Sequence, residues 1–158
     1  MIKILCGHEL TMCLRMRILR CYVFSVLMYG VESWTLSEAA LKKLEAFEMW
    51  CYRRMLRISW TDKVRNETVL QRMKKEKEVL RTIKVRKLAY FAHVMRHPEK
   101  YNMLHLIIQG KIVGKRSIGR RRISWLKNLR QWFGQTSESL FRAAVNKIRI
   151  ANMIANVR

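Results

Sequence analysis

The sequence predicts a mainly α-helical protein, an irregular bundle of about six helices with a flexible, basic Gly/Arg-rich loop. One proline and six glycines in 158 residues leave little room for the many turns of an all-β protein. Apolar residues recur at steps of three and four, which is the period of a helix with one buried face. Half of the residues are apolar, which is enough for a single domain or for the end of a larger one.

The first two predicted helices lie in the N-terminal third. The first runs from about Leu14 to Tyr29 and is apolar on all sides, so we expect it to be central and buried. The second starts after Thr35, because Thr35 and Glu38 have the T-x-x-E spacing of a capping box. One side of the second helix is apolar, and the other carries Arg53, Arg54 and Arg57. That basic side is either solvated or in contact with phosphates, and the sequence does not separate the two.

Capping residues and helix-breaking residues predict where the later helices begin and end. Asn66 is predicted to cap a short helix, and a longer one follows that ends before Pro98, whose ring cannot continue it. Residues 101–109 fit a short helix or a buried strand, and we favour the helix. Two helices close the sequence, the second starting at Thr136 or Ser137. The polar side of the long helix carries Lys84, Arg86 and Lys87.

A change of composition divides the chain into three segments. Residues 1–109 form a helical region and residues 123–158 a C-terminal helical pair, and we expect one compact unit. Between them, residues 110–122 hold three glycines, six Lys or Arg and no acid. This basic loop is expected to be mobile.

The charge balance predicts a polyanionic partner. Lys and Arg number 33 against 11 Asp and Glu, giving a formal charge of +22 that RNA or DNA would neutralise. The longest apolar run, Cys21 to Val31, is shorter than the roughly 20 residues that a membrane helix needs. The N-terminus lacks a signal-peptide pattern. We therefore expect an intracellular protein of the nucleus or cytoplasm, with no membrane association and reduced, buried cysteines.

The residue types argue against catalysis by this chain alone. A polymerase or metal-dependent nuclease needs clustered carboxylates, and Asp62 is the one aspartate. His93 and His97 are spaced like a metal-binding pair, but Val94 stands where a zinc protease has Glu, so we favour packed or capping histidines. We expect no catalytic residue, metal, cofactor or small-molecule substrate.

The candidate binding residues are basic and aromatic. Arginines at high density form charge-assisted hydrogen bonds with phosphates, although a solvated linker is the alternative for the loop. Exposed aromatic rings on a basic surface can stack bases, and Trp34 and Trp60 are the candidates, while Trp50, Trp125 and Trp132 fit the core. The predicted nucleic-acid contacts are Arg53, Arg54, Arg57, Lys111, Lys115, Arg116, Arg120, Arg121 and Arg122.

Three long stretches carry a resemblance to a known family. They are RMRILRCYVFSVLMYGVESWTLSEA from Arg15, LEAFEMWCYRRMLRISWTDKV from Leu44 and GKRSIGRRRISWLKNLRQWF from Gly114. Together they resemble the C-terminal part of the endonuclease and reverse transcriptase of LINE-like retrotransposons, which lack long terminal repeats, close to the RTE-like clade. The resemblance extends over essentially the whole chain.

The resemblance implies a role within a larger enzyme. In such proteins a nuclease nicks DNA, and a magnesium-dependent polymerase with paired aspartates copies the RNA. Both would lie upstream, so Met1 is expected to be an internal or accidental start and this chain to cover the thumb and a helical C-terminal region. The family usually has Gly before the histidine that matches His93, where this chain has Ala92. Our leading hypothesis is a non-catalytic fragment that binds RNA or DNA backbones. The alternatives are a non-functional remnant and a host-derived helical module for protein contacts.

Overall fold

The computed structural model describes residues 7, 10–114, 118–119 and 123–157, and over these residues the protein is helical without strands. The predicted α class is confirmed, but the described residues hold eight helices rather than six. The first, α1 (Met12–Ile18), continues through a π-helical segment (Leu19–Phe24) into Ser25–Leu27. The others are α2 (Glu38–Leu56), α3 (Asn66–Met73), α4 (Val79–Arg96), α5 (Asn102–Gln109), α6 (Trp125–Phe133), α7 (Ser137–Val145) and α8 (Lys147–Ala155).

Two places account for the higher number of helices. Residues 101–109 form helix α5, as favoured, and not a strand. The last predicted helix is in fact two, because Asn146 leaves the helical conformation with φ −92° and ψ 111°. Its side-chain oxygen then accepts hydrogen bonds from the backbone of Ile148 and Arg149, which starts α8. An asparagine inside an apolar period therefore ended one helix and capped the next.

The described residues form two compact units. Unit one comprises the described residues within 1–29 and 38–80, and unit two comprises those within 30–37 and 81–158. The boundary thus lies inside α4, between Leu80 and Arg81. The predicted segments 1–109, 110–122 and 123–158 follow composition instead and stay a prediction.

Helix α1 in unit one is not buried on all sides. Met16, Leu19 and Phe24 are buried, whereas Tyr22, Val26 and, in the turn after the helix, Tyr29 are 67%, 74% and 85% exposed. The prediction of a central, buried helix was therefore wrong. Unit one supplies a core for only one side of α1.

The cysteines also differ in exposure. Cys51 is buried, which raises its pKa to about 11, but Cys13 and Cys21 are exposed. All three are free, and the predicted burial holds for only one of them, while Cys6 lies outside the described residues.

The predicted cap at Thr35 is also wrong, since α2 begins at Glu38. Leu36 cannot enter the helix because both its backbone N–H and its C=O are hydrogen-bonded to the side chain of Asn128. Trp34 is extended as well, with ψ 142°. Tertiary hydrogen bonds therefore override a local capping pattern.

Asn66 is the first residue of α3, not its cap. Its side-chain oxygen accepts from Arg53, and the cap position belongs to Arg65, whose side chain makes no capping bond. A reciprocal capping box lies earlier, in a 3₁₀ turn (Trp60–Asp62), between Ser59 and Asp62. The short helix was therefore predicted correctly, but its capping residue was not.

The core of unit two is built by the second part of α4 together with α6, α7 and α8. Phe91, Leu129 and Leu140 are fully buried there, and Trp125 and Trp132 are half-buried against them. Thr136 starts α7 by accepting a hydrogen bond from the backbone of Ser139, as predicted. These helices position Trp125 and the other aromatic and basic residues of unit two.

Candidate nucleic-acid interface

Five of the nine predicted contacts lie outside the described residues. These are Lys115, Arg116, Arg120, Arg121 and Arg122. The structure places Arg53, Arg54 and Arg57 in the second half of α2 and just after it, in unit one, and Lys111 after α5, in unit two. Their assignment as phosphate contacts remains a prediction.

Arg53 has a structural contact in unit one. Its Nη2 donates to the carbonyl oxygen of Val64 at 3.0 Å and to Oδ1 of Asn66 at 2.6 Å. This half-buried side chain thereby joins the end of α2 to the start of α3. A phosphate would compete with these acceptors for Arg53.

Arg54 lies on an exposed aromatic surface. Its guanidinium carbon is 5.4 Å from the centre of the Trp50 ring, and that ring stacks on Phe47 with centroids 6.1 Å apart. Trp50 is 40% exposed, so its predicted place in the core was wrong. The buried side of α2 is centred on Glu48, Cys51, Tyr52 and Met55. An exposed ring beside a guanidinium can stack a base while the cation approaches phosphate.

Arg57 ends α2 in the left-handed conformation, with φ 56°. The backbone N–H of Ile58 closes this turn by donating to the carbonyl of Arg53 at 3.0 Å. Trp60 follows and is 87% exposed, as a base-stacking residue requires. Trp34, the other candidate, is half-buried in unit two.

Lys111 is exposed at the start of the basic loop. Gly110 adopts φ 71° at the end of α5, and the N–H of Lys111 donates to the carbonyl of Leu106 at 3.0 Å. This turn directs the chain away from α5. The next two residues, Ile112 and Val113, are 54% and 99% exposed.

Several acidic residues are hydrogen-bonded or ion-paired within the units. Arg20 pairs with Glu78 through two nitrogens, and this hydrogen bonding raises the pKa of Arg20. Further ion pairs join Lys77 to Glu45 at 3.5 Å and Arg142 to Glu138 at 2.5 Å. Asp62 accepts from the backbone of Ser59. These carboxylates are therefore already engaged by partners within their own unit.

Unit one contains a buried carboxylate that sequence reasoning missed. Oε1 of Glu48 accepts from the hydroxyl of Tyr52 at 2.9 Å and from the backbone N–H groups of Glu78 and Val79 at 2.7 and 3.3 Å. A remote side chain thus satisfies amides at the start of α4. Burial raises the pKa of Glu48, and burial likewise raises that of Tyr52.

Unit two contains a buried ammonium. Lys87, predicted on the polar side of α4, is 0% exposed. Its Nζ donates to the carbonyl of Trp34 and to Oδ1 of Asn128, and it lies 4.7 Å from the ring centre of Trp125. The ring of Trp132 is 5.7 Å away. Burial lowers the pKa of Lys87 to about 8.

Asn128 connects this ammonium to the segment before α2. It is 2% exposed, and its Oδ1 accepts from the N–H of Leu36 at 2.9 Å while its Nδ2 donates to the C=O of Leu36 at 2.7 Å. Nε1 of Trp125 donates to the carbonyl of Glu32 at 2.9 Å. Residues 30–37 are therefore held in unit two by two side chains of α6.

His93 and His97 lie in a cluster of rings with Tyr101. His93 and His97 have centroids 4.8 Å apart, and Nε2 of His93 is 3.3 Å from the hydroxyl of Tyr101. Within the described residues, no group of three or more His, Cys, Asp or Glu side chains is placed to hold a metal ion. No helix in the same part of the chain has the length and apolar character to cross a membrane.

Comparison of the chain with protein-family models, with curated proteins and with solved structures gave no match.

Proposed function

We propose that this chain corresponds to the C-terminal region of the RNA-directed DNA polymerase of a non-LTR retrotransposon. In this proposal it binds the backbone of RNA or DNA with little sequence preference and catalyses no reaction by itself. The parent polymerase would supply the magnesium-binding aspartates, and its polymerase domain is a further partner. The resemblance of the three long stretches is the basis for the family.

The formal charge of +22 is the observation that carries the binding role. Lys and Arg side chains that neutralise phosphates release condensed counterions, which gives affinity without sequence information. The surroundings of several carboxylates support this binding role. Glu48 is buried, and three others form ion pairs within the units, namely Glu45, Glu78 and Glu138. A polyanion can therefore neutralise cations that the chain itself leaves in excess.

Salt dependence tests the proposal. The purified chain is titrated with a mixed-sequence RNA and with duplex DNA between 50 and 200 mM salt, roughly the range in which phosphate-bound proteins lose most affinity. Circular dichroism on the same sample establishes that the chain is helical. Steep dependence from a folded chain supports backbone binding. Weak binding whose affinity does not change with salt concentration would contradict the proposal and favour a non-functional remnant.

Replacing Arg120, Arg121 and Arg122 with Ala tests the basic loop. Affinity should fall alike for all sequences, and the salt slope should fall by roughly 0.7 to 0.9 per lost phosphate contact. Arg142→Ala is the control, since Arg142 already pairs with Glu138 at 2.5 Å. An unchanged slope in the triple variant would remove the loop from the binding surface.

The exposed side of α1 favours a second candidate function, a helical module for protein contacts. Tyr22 in the π-helical segment, Val26 after it and Tyr29 in the turn that follows are each at least 67% exposed. Exposed apolar and aromatic side chains close together in the chain can contact a partner protein. Changing all three to Ser would leave RNA affinity intact under the leading proposal, and a stable complex that is lost in this variant would support the alternative.

A further inference from the structure

Two cavities on the surface of unit two meet at Ser124, the residue before α6. The first, of about 330 Å³, is walled by Tyr90, Leu104, Ile107, Ile108 and Trp125. The second, of about 420 Å³, is lined by Lys127, Arg130, Gln131 and Gln135. Ser124 lines both. An apolar cavity and a basic one are therefore neighbours.

The apolar cavity suits a flat aromatic ligand. Tyr90 and Trp125 meet edge to face, with ring centroids 6.3 Å apart and an interplanar angle of 69°. Aliphatic side chains of α5 complete the wall, and Ile107 is 51% exposed at its surface. Pockets for small ligands begin at about 300 Å³, and a nucleobase stacks on aromatic walls whatever its sequence.

Trp125 is held in place before any ligand arrives. Its Nε1 donates to the carbonyl of Glu32 at 2.9 Å, and the ammonium of Lys87 lies 4.7 Å from its ring centre. Phe91 contacts the ring as well, with centroids 6.2 Å apart. A wall fixed by its own contacts loses little conformational entropy when it binds a ligand.

The second cavity suits an anion. Lys127 and Arg130 are exposed there, and two glutamine amides accompany them. No carboxylate of the described residues lines either cavity. The hydroxyl of Ser124, between the cavities, makes no cap hydrogen bond at the start of α6.

We infer that the two cavities bind one nucleotide of a single-stranded nucleic acid. The unpaired base occupies the apolar cavity, and its phosphate lies in the basic cavity between Lys127 and Arg130. This inference rests on the proposed function and deepens it, because it names strands with accessible bases as the preferred ligand.

The test compares two single strands with the same number of phosphates. One is a mixed-sequence 12-mer, and the other has abasic sugars at every position, a probe length within the roughly 4 to 16 nucleotides that single-strand sites span. The folded chain should bind the normal strand at least 5-fold and up to about 150-fold more tightly, the range expected for one stacked base. The abasic strand should still bind through its phosphates.

Two variants locate the base in the apolar cavity. Tyr90→Leu removes an aromatic wall, and Ile107→Trp fills the space from its exposed edge. Both should reduce the preference for the normal strand by about 5-fold or more and leave abasic affinity unchanged. Tyr29→Leu and Ile148→Trp are matched controls at sites 85% and 73% exposed elsewhere, and they should keep the preference.

A third variant, Lys127→Ala with Arg130→Ala, should weaken both strands alike and lower the salt slope. If the folded chain binds neither strand, the proposed function itself fails. If it binds both strands equally, or if the controls reduce the preference as much as the cavity variants, backbone binding stands and the nucleotide site is overturned.

Discussion

Unit one buries an acidic side chain and unit two buries a basic one. Glu48 in unit one and Lys87 in unit two are both 0% exposed. Oε1 of Glu48 accepts from two backbone amides and a tyrosine hydroxyl, whereas its Oε2 has no hydrogen-bond partner among the described residues. Lys87 is satisfied by a carbonyl, an asparagine oxygen and two indole rings. Dipoles and π-electrons, not counter-ions, surround both groups.

The excess of positive charge is set by composition, and burying one acid and one base leaves that excess unchanged. With 33 cations and 11 acids, each carboxylate could have been paired, yet Glu48 is buried as a hydrogen-bond acceptor. Lys87 is buried without consuming an acid. The interior is thus organised by hydrogen bonds, and the surface keeps the cations that a polyanion would neutralise. The variants below test whether the two buried groups are comparable in energy.

The largest effect should come from Asn128, the partner of Lys87. Asn128→Leu removes the acceptor of the Lys87 ammonium and leaves the N–H and C=O of Leu36 without their bonds. Buried polar groups without partners cost about 1–3 kcal/mol each, so the free energy of unfolding should fall by about 3–5 kcal/mol in urea titrations. Asn152→Leu, at an exposed site on α8, should change it by no more than about 0.5 kcal/mol. Equal effects in the two variants would show that unit two does not depend on this network.

Glu48→Ala should have the next largest effect. It removes the acceptor of Tyr52 and of two amides at the start of α4. We expect a loss of about 2–3 kcal/mol, because the variant also relieves the cost of burying a carboxylate. Glu48→Gln should lose less, since its amide oxygen still accepts.

Glu138→Ala is the control for Glu48, since its pair with Arg142 is exposed on both sides. Exposed ion pairs contribute from near zero to about 1 kcal/mol. A loss at Glu138 as large as that at Glu48 would refute a special role for the buried acceptor.

The helical class and most elements could be predicted from the sequence because they depend on local periodicity and caps. Thr136 illustrates a local signal that is correct, since its own hydroxyl caps α7. Thr35 illustrates one that fails, because the backbone two residues before α2 is bound by Asn128, 92 positions away from Leu36. A period in apolar residues carries no information about such a distant partner.

The site residues show the same limit. Trp60 is exposed, as its position at a helix end indicated, but Trp50 was assigned to the wrong side of α2 because the core there includes Glu48. Lys87 was placed on a solvated side because lysine is rarely buried. The cavities beside Ser124 depend on α4, α5 and α6 together, and no single stretch of sequence contains them.

The last prediction concerns how the stability of unit two depends on pH. The pKa of Lys87 is about 8 in the folded chain and 10.5 when unperturbed, so between these values the unfolded chain binds a proton that the folded chain does not. Stability from this group is therefore present at high pH and lost as the pH falls through about 8.

Lys87→Met tests this dependence by removing the titrating group and keeping an apolar stem. Between pH 8 and 10.5 the wild-type chain should gain on the order of 3 kcal/mol more unfolding free energy than the variant does, since each pKa unit corresponds to about 1.4 kcal/mol. The other lysines lose charge in both proteins, so the difference between the two urea-titration curves isolates Lys87. Lys147→Met, at an exposed site, should parallel the wild type across this range. If the Lys87→Met curve also runs parallel, the ammonium titrates normally inside unit two, and the hydrogen bonds and indole rings then compensate fully for its burial.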